Sequence, residues 1–407
     1  MRAGACVVDV TPPAGLRMAG FAAREAPAIG LHDRLSVRAL AVGETGLVVA
    51  DVIGLDEHAC RRIRARAALP DAAIVVAATH THGGPATLPG RLGGGEDAAF
   101  LRQLEDACVA ALDGAAQARR PVRLLFGVGP DPGIARNRRH SGGITDGAVR
   151  VLRVLGADGA PVATLACHAC HPVVLGPDNR LWTADLAGAA RPAVEAVHGA
   201  PCLMLTGCAG DANTGHGAHA SLVLGADPHR TFMALAAYGA RLAEAVGATP
   251  LTPLPGKAAS VRDTVVTLDL LNEAPEPLAS TWRAELPGAD PGRARLLRHW
   301  IAWADGPARA PARPWPARVA CLRWGGLRVF ALPGEVFAQT ALDLYRRVDG
   351  PAMVAAYAEG CPGYIPPAAE YAHGGYEVAE AHRFYGQPGP FAPGGAERLG
   401  EAALQTA

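Results

Sequence analysis

The chain has 407 residues and a mass of 41.8 kDa, enough for one large domain or two medium ones. Half of the residues are hydrophobic and 19% are charged, which excludes wholesale disorder. Lys plus Arg and Asp plus Glu are equal at 38 each, so no basic field marks a nucleic-acid or anionic-membrane partner.

The N-terminus carries no long apolar stretch of the signal-peptide kind, and no window approaches a membrane span. A cytoplasmic protein with its nine cysteines reduced is expected. Apolar, β-rich runs then follow at 5–10, 47–52, 73–78, 122–128, 149–155, 162–167, 202–205, 261–271, 317–324 and 327–332. Ala/Arg-rich segments of helical period lie at 57–68, 97–117, 184–197 and 229–246. This mixture predicts an α/β (mixed α+β) fold, a single large domain of β-sheets flanked by helices. Residues 274–316 are rich in Pro, Ala and Arg but carry Trp282, Trp300 and Trp303, and are read as a helical insertion. Residues 387–407, rich in Gly, Pro and Ala, are read as a partly disordered tail.

Three motifs carry chemistry. The first is Thr79-His80-Thr81-His82-Gly83-Gly84-Pro85, at the end of an apolar strand. Residues i and i+2 of a strand share a face, so His80 and His82 are expected side by side. Such a pair can hold a metal, or divide the work of ligand and acid/base. The second is Cys167-His168-Ala169-Cys170-His171-Pro172. It matches the c-type haem attachment pattern, but that chemistry belongs to exported proteins, and no second Cys pair completes a four-thiolate zinc site. It is read as a strand delivering His171 and stopped by Pro172. The third is Thr206-Gly207-Cys208-Ala209-Gly210-Asp211-Ala212-Asn213, a strand opening into a loop of small residues. Such a loop is either a plain tight turn or a set of backbone N–H groups for an oxyanion. Glu335 after Pro333-Gly334, and the tyrosines 357, 364 and 376, are unremarkable singly.

Taken in order, these features resemble the zinc-bearing N-terminal catalytic domain of the neutral (non-lysosomal) ceramidase family. The likeness spans residues 1–386. It runs through Val8-Asp9-Val10-Thr11-Pro12, Met18-Ala19-Gly20-Phe21, Gly30-Leu31-His32-Asp33-Arg34-Leu35 and the His80/His82 motif. It continues through Asn137-Arg138-Arg139, His171-Pro172, Gly210-Asp211, Pro333-Gly334-Glu335 and Gly363-Tyr364-Ile365. The resemblance implies one zinc ion per chain, at strand ends, held by His80, His171, Glu335 and Tyr364. It implies His82 beside the metal as acid/base or oxyanion partner, with Arg138 and Tyr376 lining the active site. Asp185 would orient a ligand histidine. Two departures matter. The family's Gly-Asp loop continues to a serine nucleophile, whereas Asn213 stands here, an amide able only to donate to an oxyanion. The family's C-terminal β-sandwich is expected to be absent.

The expected activity is hydrolysis of an amide C–N bond in a small or medium metabolite, by attack of zinc-bound hydroxide without a serine nucleophile. His82, Asn213 or Arg138 would stabilise the oxyanion. An ester, lactone or cyclic imide hydrolase with the same zinc site is the closest alternative. A non-catalytic binding protein on a decayed hydrolase scaffold is the other. The loops 88–96 and 215–224 and the 274–316 insertion would shape the pocket, and the Gly-rich first loop is expected to be mobile.

Overall fold

The computed structural model of the chain describes residues 1–92, 95–222, 224–225 and 227–407. Gly93 and Gly94, on which the expected mobility of the 88–96 loop turns, lie outside the described residues.

Two sheets pack face to face, each covered by helices on its outer side. The larger has nine strands. From one edge the order is Cys202–Thr206, Pro161–His168, Val149–Gly156, Arg120–Gly129, Arg2–Asp9, Ser36–Val42, Thr45–Ala50 and Ile74–Ala78, with Thr252–Pro253 added beside Arg120–Gly129. The smaller runs Ala259–Leu268, Trp315–Trp324, Leu327–Ala331, Ala352–Ala355. Along strand Ile74–Ala78 the side chains alternate between two buried layers. Ile74, Val76 and Ala78 face the helices, and Val75 and Ala77 face the second sheet. A strand covered on both faces reads as a continuous apolar run, which is why these segments stand out in the sequence. Leu47, Leu124, Leu165 and Leu203 of the large sheet meet Leu322, Trp324, Val329 and Met353 of the small one in a shared core.

Helices Glu57–Arg66, Ala98–Gln117, Leu186–His198 and Phe232–Gly247 cover the large sheet. The first starts at Asp56, whose carboxylate accepts from the backbone N–H groups of His58 and Ala59 at 2.7 Å. Helices Ala338–Arg347 and Gly395–Thr406 cover the small sheet. The second of these corrects the expectation of a partly disordered tail at 387–407. Its Ala396, Leu399, Ala402 and Ala403 recur at helical spacing and are buried, a period hidden by the Gly/Pro/Ala composition. Residues 276–305 form helices Glu276–Glu285 and Pro291–Asp305, and Trp282, Trp300 and Trp303 make a core cluster of their own. Among the described residues no helix is long and apolar enough to cross a membrane.

The large sheet curls until its two edge strands approach each other. The Thr206 hydroxyl donates to the Thr79 carbonyl at 2.7 Å across the gap. Residues 356–359, which continue the edge strand Ala352–Ala355 of the small sheet, thread between these edges. Ala356 N–H bonds Thr206 O at 3.0 Å, and Ala78 N–H bonds Tyr357 O at 3.1 Å. The candidate site sits at this junction.

Candidate metal centre and cleft

His80 and His82 do not converge by strand alternation. The strand ends at Ala78, and His80 adopts a left-handed backbone (φ 64°) that L-residues enter only under constraint. The turn directs its imidazole into the junction, where Nε2 lies 3.0 Å from Nε2 of His171. His171 follows strand Pro161–His168 and is held by its own N–H to Ala212 O at 2.9 Å. His82 closes the group, its Nε2 3.3 Å from that of His171. All three are buried. Burial, with His80 beside them, pushes the pKa of His82 and His171 well below the ordinary imidazole value, so both are neutral.

Three buried imidazoles with converging Nε2 atoms are a group able to hold a metal ion. The opposite ring nitrogens sharpen this. His80 Nδ1 faces the carbonyl of Ile53, and His171 Nδ1 faces that of Ala209 at 3.3 Å. A carbonyl only accepts, so each Nδ1 is a donor there, and in the neutral form of a ring so held Nε2 is the atom left to accept a metal. Histidine ligands of metals usually have their other nitrogen engaged in this way. Tetrahedral zinc with Zn–N bonds near 2.0–2.1 Å would space its ligand nitrogens about 3.3–3.4 Å apart. The Nε2 distances of 3.0 and 3.3 Å fit that scale.

A fourth donor comes from the other side. Glu335 Oε2 lies 3.3 Å from His80 Nε2 and 3.7 Å from His171 Nε2, and it is buried without a hydrogen-bond partner. Its Oε1 accepts from the Tyr385 hydroxyl. Glu335 leaves the Pro333-Gly334 turn on a two-residue parallel pairing that sets Glu335 beside Tyr364. The Tyr364 hydroxyl receives a hydrogen bond from Arg138 at 2.9 Å. Burial raises the Tyr364 pKa well above its ordinary value and keeps it a phenol.

Two solved structures are similar to this chain in fold. All of the chain is covered by a ceramidase complexed with C2, at TM-score 0.75, 18% identity and 74% of that chain. All of it is likewise covered by neutral ceramidase from Pseudomonas aeruginosa, at TM-score 0.77, 19% identity and 73% of that chain. The fold is that of the neutral ceramidases. No family model and no curated protein matches the chain. At such identities the ceramidase likeness establishes the fold, and the chemistry has to come from the residues themselves.

Asn213 engages both ends of its amide within its own loop: Oδ1 accepts from the N–H groups of Gly215 and His216, and Nδ2 donates to His216 O at 2.8 Å. It fixes its own loop. In the Gly207–Ala212 loop the N–H of Gly207 donates to His168 O, that of Gly210 to Val336 O and that of Ala212 to Ala209 O. Arg138 is held by Glu377 at 2.8 Å and by Gly210 O at 2.9 Å, and the nitrogen that donates to Gly210 O also donates to the Tyr364 hydroxyl. Asp185 bonds no histidine. It caps helix Leu186–His198 and accepts from the N–H groups of Val174 and Leu175, pinning the turn after His171-Pro172. Cys167 and Cys170 lie in different core clusters.

Two further tyrosines pack against the group: Tyr357, unremarkable in the sequence, and Tyr385, which the sequence does not single out. Tyr357 stacks on His80 at 4.0 Å, itself left-handed (φ 56°), and its hydroxyl is 3.4 Å from His171 Nδ1. Tyr385 holds Glu335. Neither sits in a motif whose spacing announces chemistry. Beside the cluster the ceramidase fold opens a cleft of about 150 Å³, with Gly20 and Tyr376 at its inner end. A Cβ on Gly20 would lie 2.2 Å from His82 Nδ1, and Tyr376 packs edge-on to Tyr364 at 5.9 Å.

Proposed function

We propose that the chain is a zinc-dependent hydrolase of an amide bond in a small or medium metabolite. The observation that carries this is the convergence of the buried Nε2 atoms of His80 and His171, 3.0 Å apart, with the orphaned Glu335 Oε2 beside them. These three residues would hold the ion. Bound zinc would supply Lewis acidity for a carbonyl and an acidified water.

The remaining roles follow from hydrogen bonding. His82 differs from the other two imidazoles because its Nδ1 is buried without a partner. No carbonyl fixes its tautomer, and it borders the cleft through Gly20. His82 would therefore move the proton, delivering it to the departing amine. Tyr364, kept protonated by burial and receiving the Arg138 hydrogen bond, would donate to the oxygen on which charge develops. The ceramidase neighbours support hydrolysis of a C–N bond as the reaction class.

The test is metal content of the purified protein beside that of Glu335→Ala, followed by turnover of matched amide and ester substrates. One zinc per chain in the wild type, strongly reduced in the variant, and faster amide turnover are expected. A wild type that takes up no zinc when zinc is supplied refutes the proposal.

A further inference from the structure

The three imidazoles of the cluster are not oriented alike. His80 and His171 each hold Nδ1 against a backbone carbonyl. His82 has no such bond, because its Nδ1 is buried without a partner. Contacts other than a hydrogen bond to the ring have to set its direction. Segment 17–24 runs alongside it. Ala19 N–H bonds Gly84 O at 3.1 Å and Ala86 N–H bonds Arg17 O at 3.0 Å, a short pairing that spans the turn after His82. Phe21 is buried, and its ring packs on that of His82 with centroids 4.9 Å apart. A turn closed by Arg24 N–H to Phe21 O at 3.1 Å folds the Arg24 side chain back over the Phe21 ring, Cζ 4.9 Å from its centroid. The guanidinium then donates to three carbonyls: His82 at 2.6 Å, Asn179 at 3.1 Å and Ala19.

Arg24 is a costly choice for a structural post. It is buried, its three hydrogen bonds all go to carbonyls, and its Nε has no partner among the described residues. Burial, with the Arg230 guanidinium nearby, lowers its pKa to about 9, so it stays charged at neutral pH. A guanidinium taken out of water without a paired anion costs stability. In return its rigid fork of donors bonds three separate segments at once. Arg230 repeats the pattern. It donates to Val173 O at 3.2 Å and Leu175 O at 3.0 Å, in the turn after His171-Pro172, and its Cζ lies 5.4 Å from the same Phe21 ring. Phe21 thus meets one guanidinium anchored to the backbone of His82 and another anchored to the turn that follows His171.

We infer that Arg24 is a positioning residue for His82: by pinning the His82 carbonyl and seating Phe21 against the imidazole, it fixes the ring that delivers a proton to the departing amine. The proton step rests on the amide-hydrolase reading above, whereas the position of the ring can be read without turnover. Arg24 itself touches neither the metal ligands nor the reacting atoms and acts through His82 alone.

Arg24→Lys keeps the charge and loses the fork. Phe21→Leu keeps the Arg24 hydrogen bonds and removes the ring. Both variants and the wild type, loaded with zinc, are assayed on N-benzylacetamide and on para-nitrophenyl acetate, and the histidine rings are followed by proton–nitrogen NMR. Benzylamine must be protonated to leave and nitrophenolate need not be, so only the amide depends on where His82 points. In Arg24→Lys, kcat on the amide should fall about 30-fold, with KM within about twofold and the ester rate within about threefold. Zinc content should stay at that of the wild type. The ring signals of His82 should shift or broaden while those of His80 and His171 hold. Phe21→Leu should show the same selective loss at about a third of the size, and it carries the test if Arg24→Lys does not fold. Amide and ester rates that fall in parallel, or His82 signals that do not move, overturn the inference. A wild type that takes up zinc and turns over no amide removes the proton step. His82 signals displaced in Arg24→Lys then keep the positioning role, and unmoved ones end it.

Discussion

The two sides of the candidate metal site are built differently. The nitrogen side hangs from the large sheet: His80 and His171 each follow a strand of five or eight residues, paired in parallel to a neighbour and buried. The oxygen side has no such support. Glu335 and Tyr364 sit on two-residue strands, and Tyr357 and Glu359 are both left-handed. Regular strands fix where a backbone ends, and short irregular segments need added bonds to fix where a side chain points. The oxygen side has those bonds in Tyr385–Glu335, Arg138–Tyr364 and Arg138–Glu377. The nitrogen side should therefore be robust in position and the oxygen side adjustable.

Four measurements would break or sharpen this contrast. The largest effect is expected from His171→Ala, which should lower zinc affinity on the order of 10²–10³-fold, about 3–4 kcal/mol per ligand, while the sheet still folds. Zinc titration with circular dichroism checks both halves, and collapse of the fold in the zinc-free variant would place the metal in the scaffold. The next concerns the turn after His171. Burial raises the Asp185 carboxyl from 3.8 to about 6, despite its three backbone donors. Between those values the folded chain holds a proton that the unfolded chain has released, so stability falls as pH rises through that window. The loss is on the order of 3 kcal/mol. Asp185→Asn keeps the cap and removes the titration. Its urea stability relative to the wild type should rise from about pH 4 to 6 and level off above, and a constant difference would contradict the assignment.

Gly20→Ala comes third. Gly20 has φ 96° and no room for a Cβ against His82. A loss of about 2 kcal/mol in thermal or urea unfolding is expected, with zinc affinity nearly unchanged because His80 and His171 stay in place. The smallest effect is expected from Tyr385→Phe, which removes only the hydroxyl that holds Glu335. Zinc should bind about tenfold more weakly with unfolding unaltered. A change below twofold would mean that the oxygen side holds its shape without that bond.

This division also explains what was legible beforehand. The double-buried strands and their terminal histidines announce themselves as apolar runs ending in His. The sheet strand Ser36–Val42 escaped notice because Arg38 interrupts its apolar run, its guanidinium bonded to Ser36 and Cys202 O. Glu335 and Tyr364 emerged only through family resemblance, since their meeting depends on a parallel pairing of two residues each. Tyr357 and Tyr385 are defined by contacts to residues 186 and 50 positions away, which no local spacing encodes. Asn213 lies on the two-residue strand Ala212–Asn213 after the small-residue loop, and the direction of its amide is a matter of turn geometry.

The threading of residues 356–359 between the edges of the large sheet has a consequence for synthesis. Until that segment leaves the ribosome, strands Ile74–Ala78 and Cys202–Thr206 each present an open hydrogen-bonding edge, both apolar and neither charged. Such edges template pairing with other chains. A nascent chain arrested before residue 356 would thus carry two sticky borders and a half-made candidate metal site, and a segment translated more than 350 residues into the chain is the one that seals them.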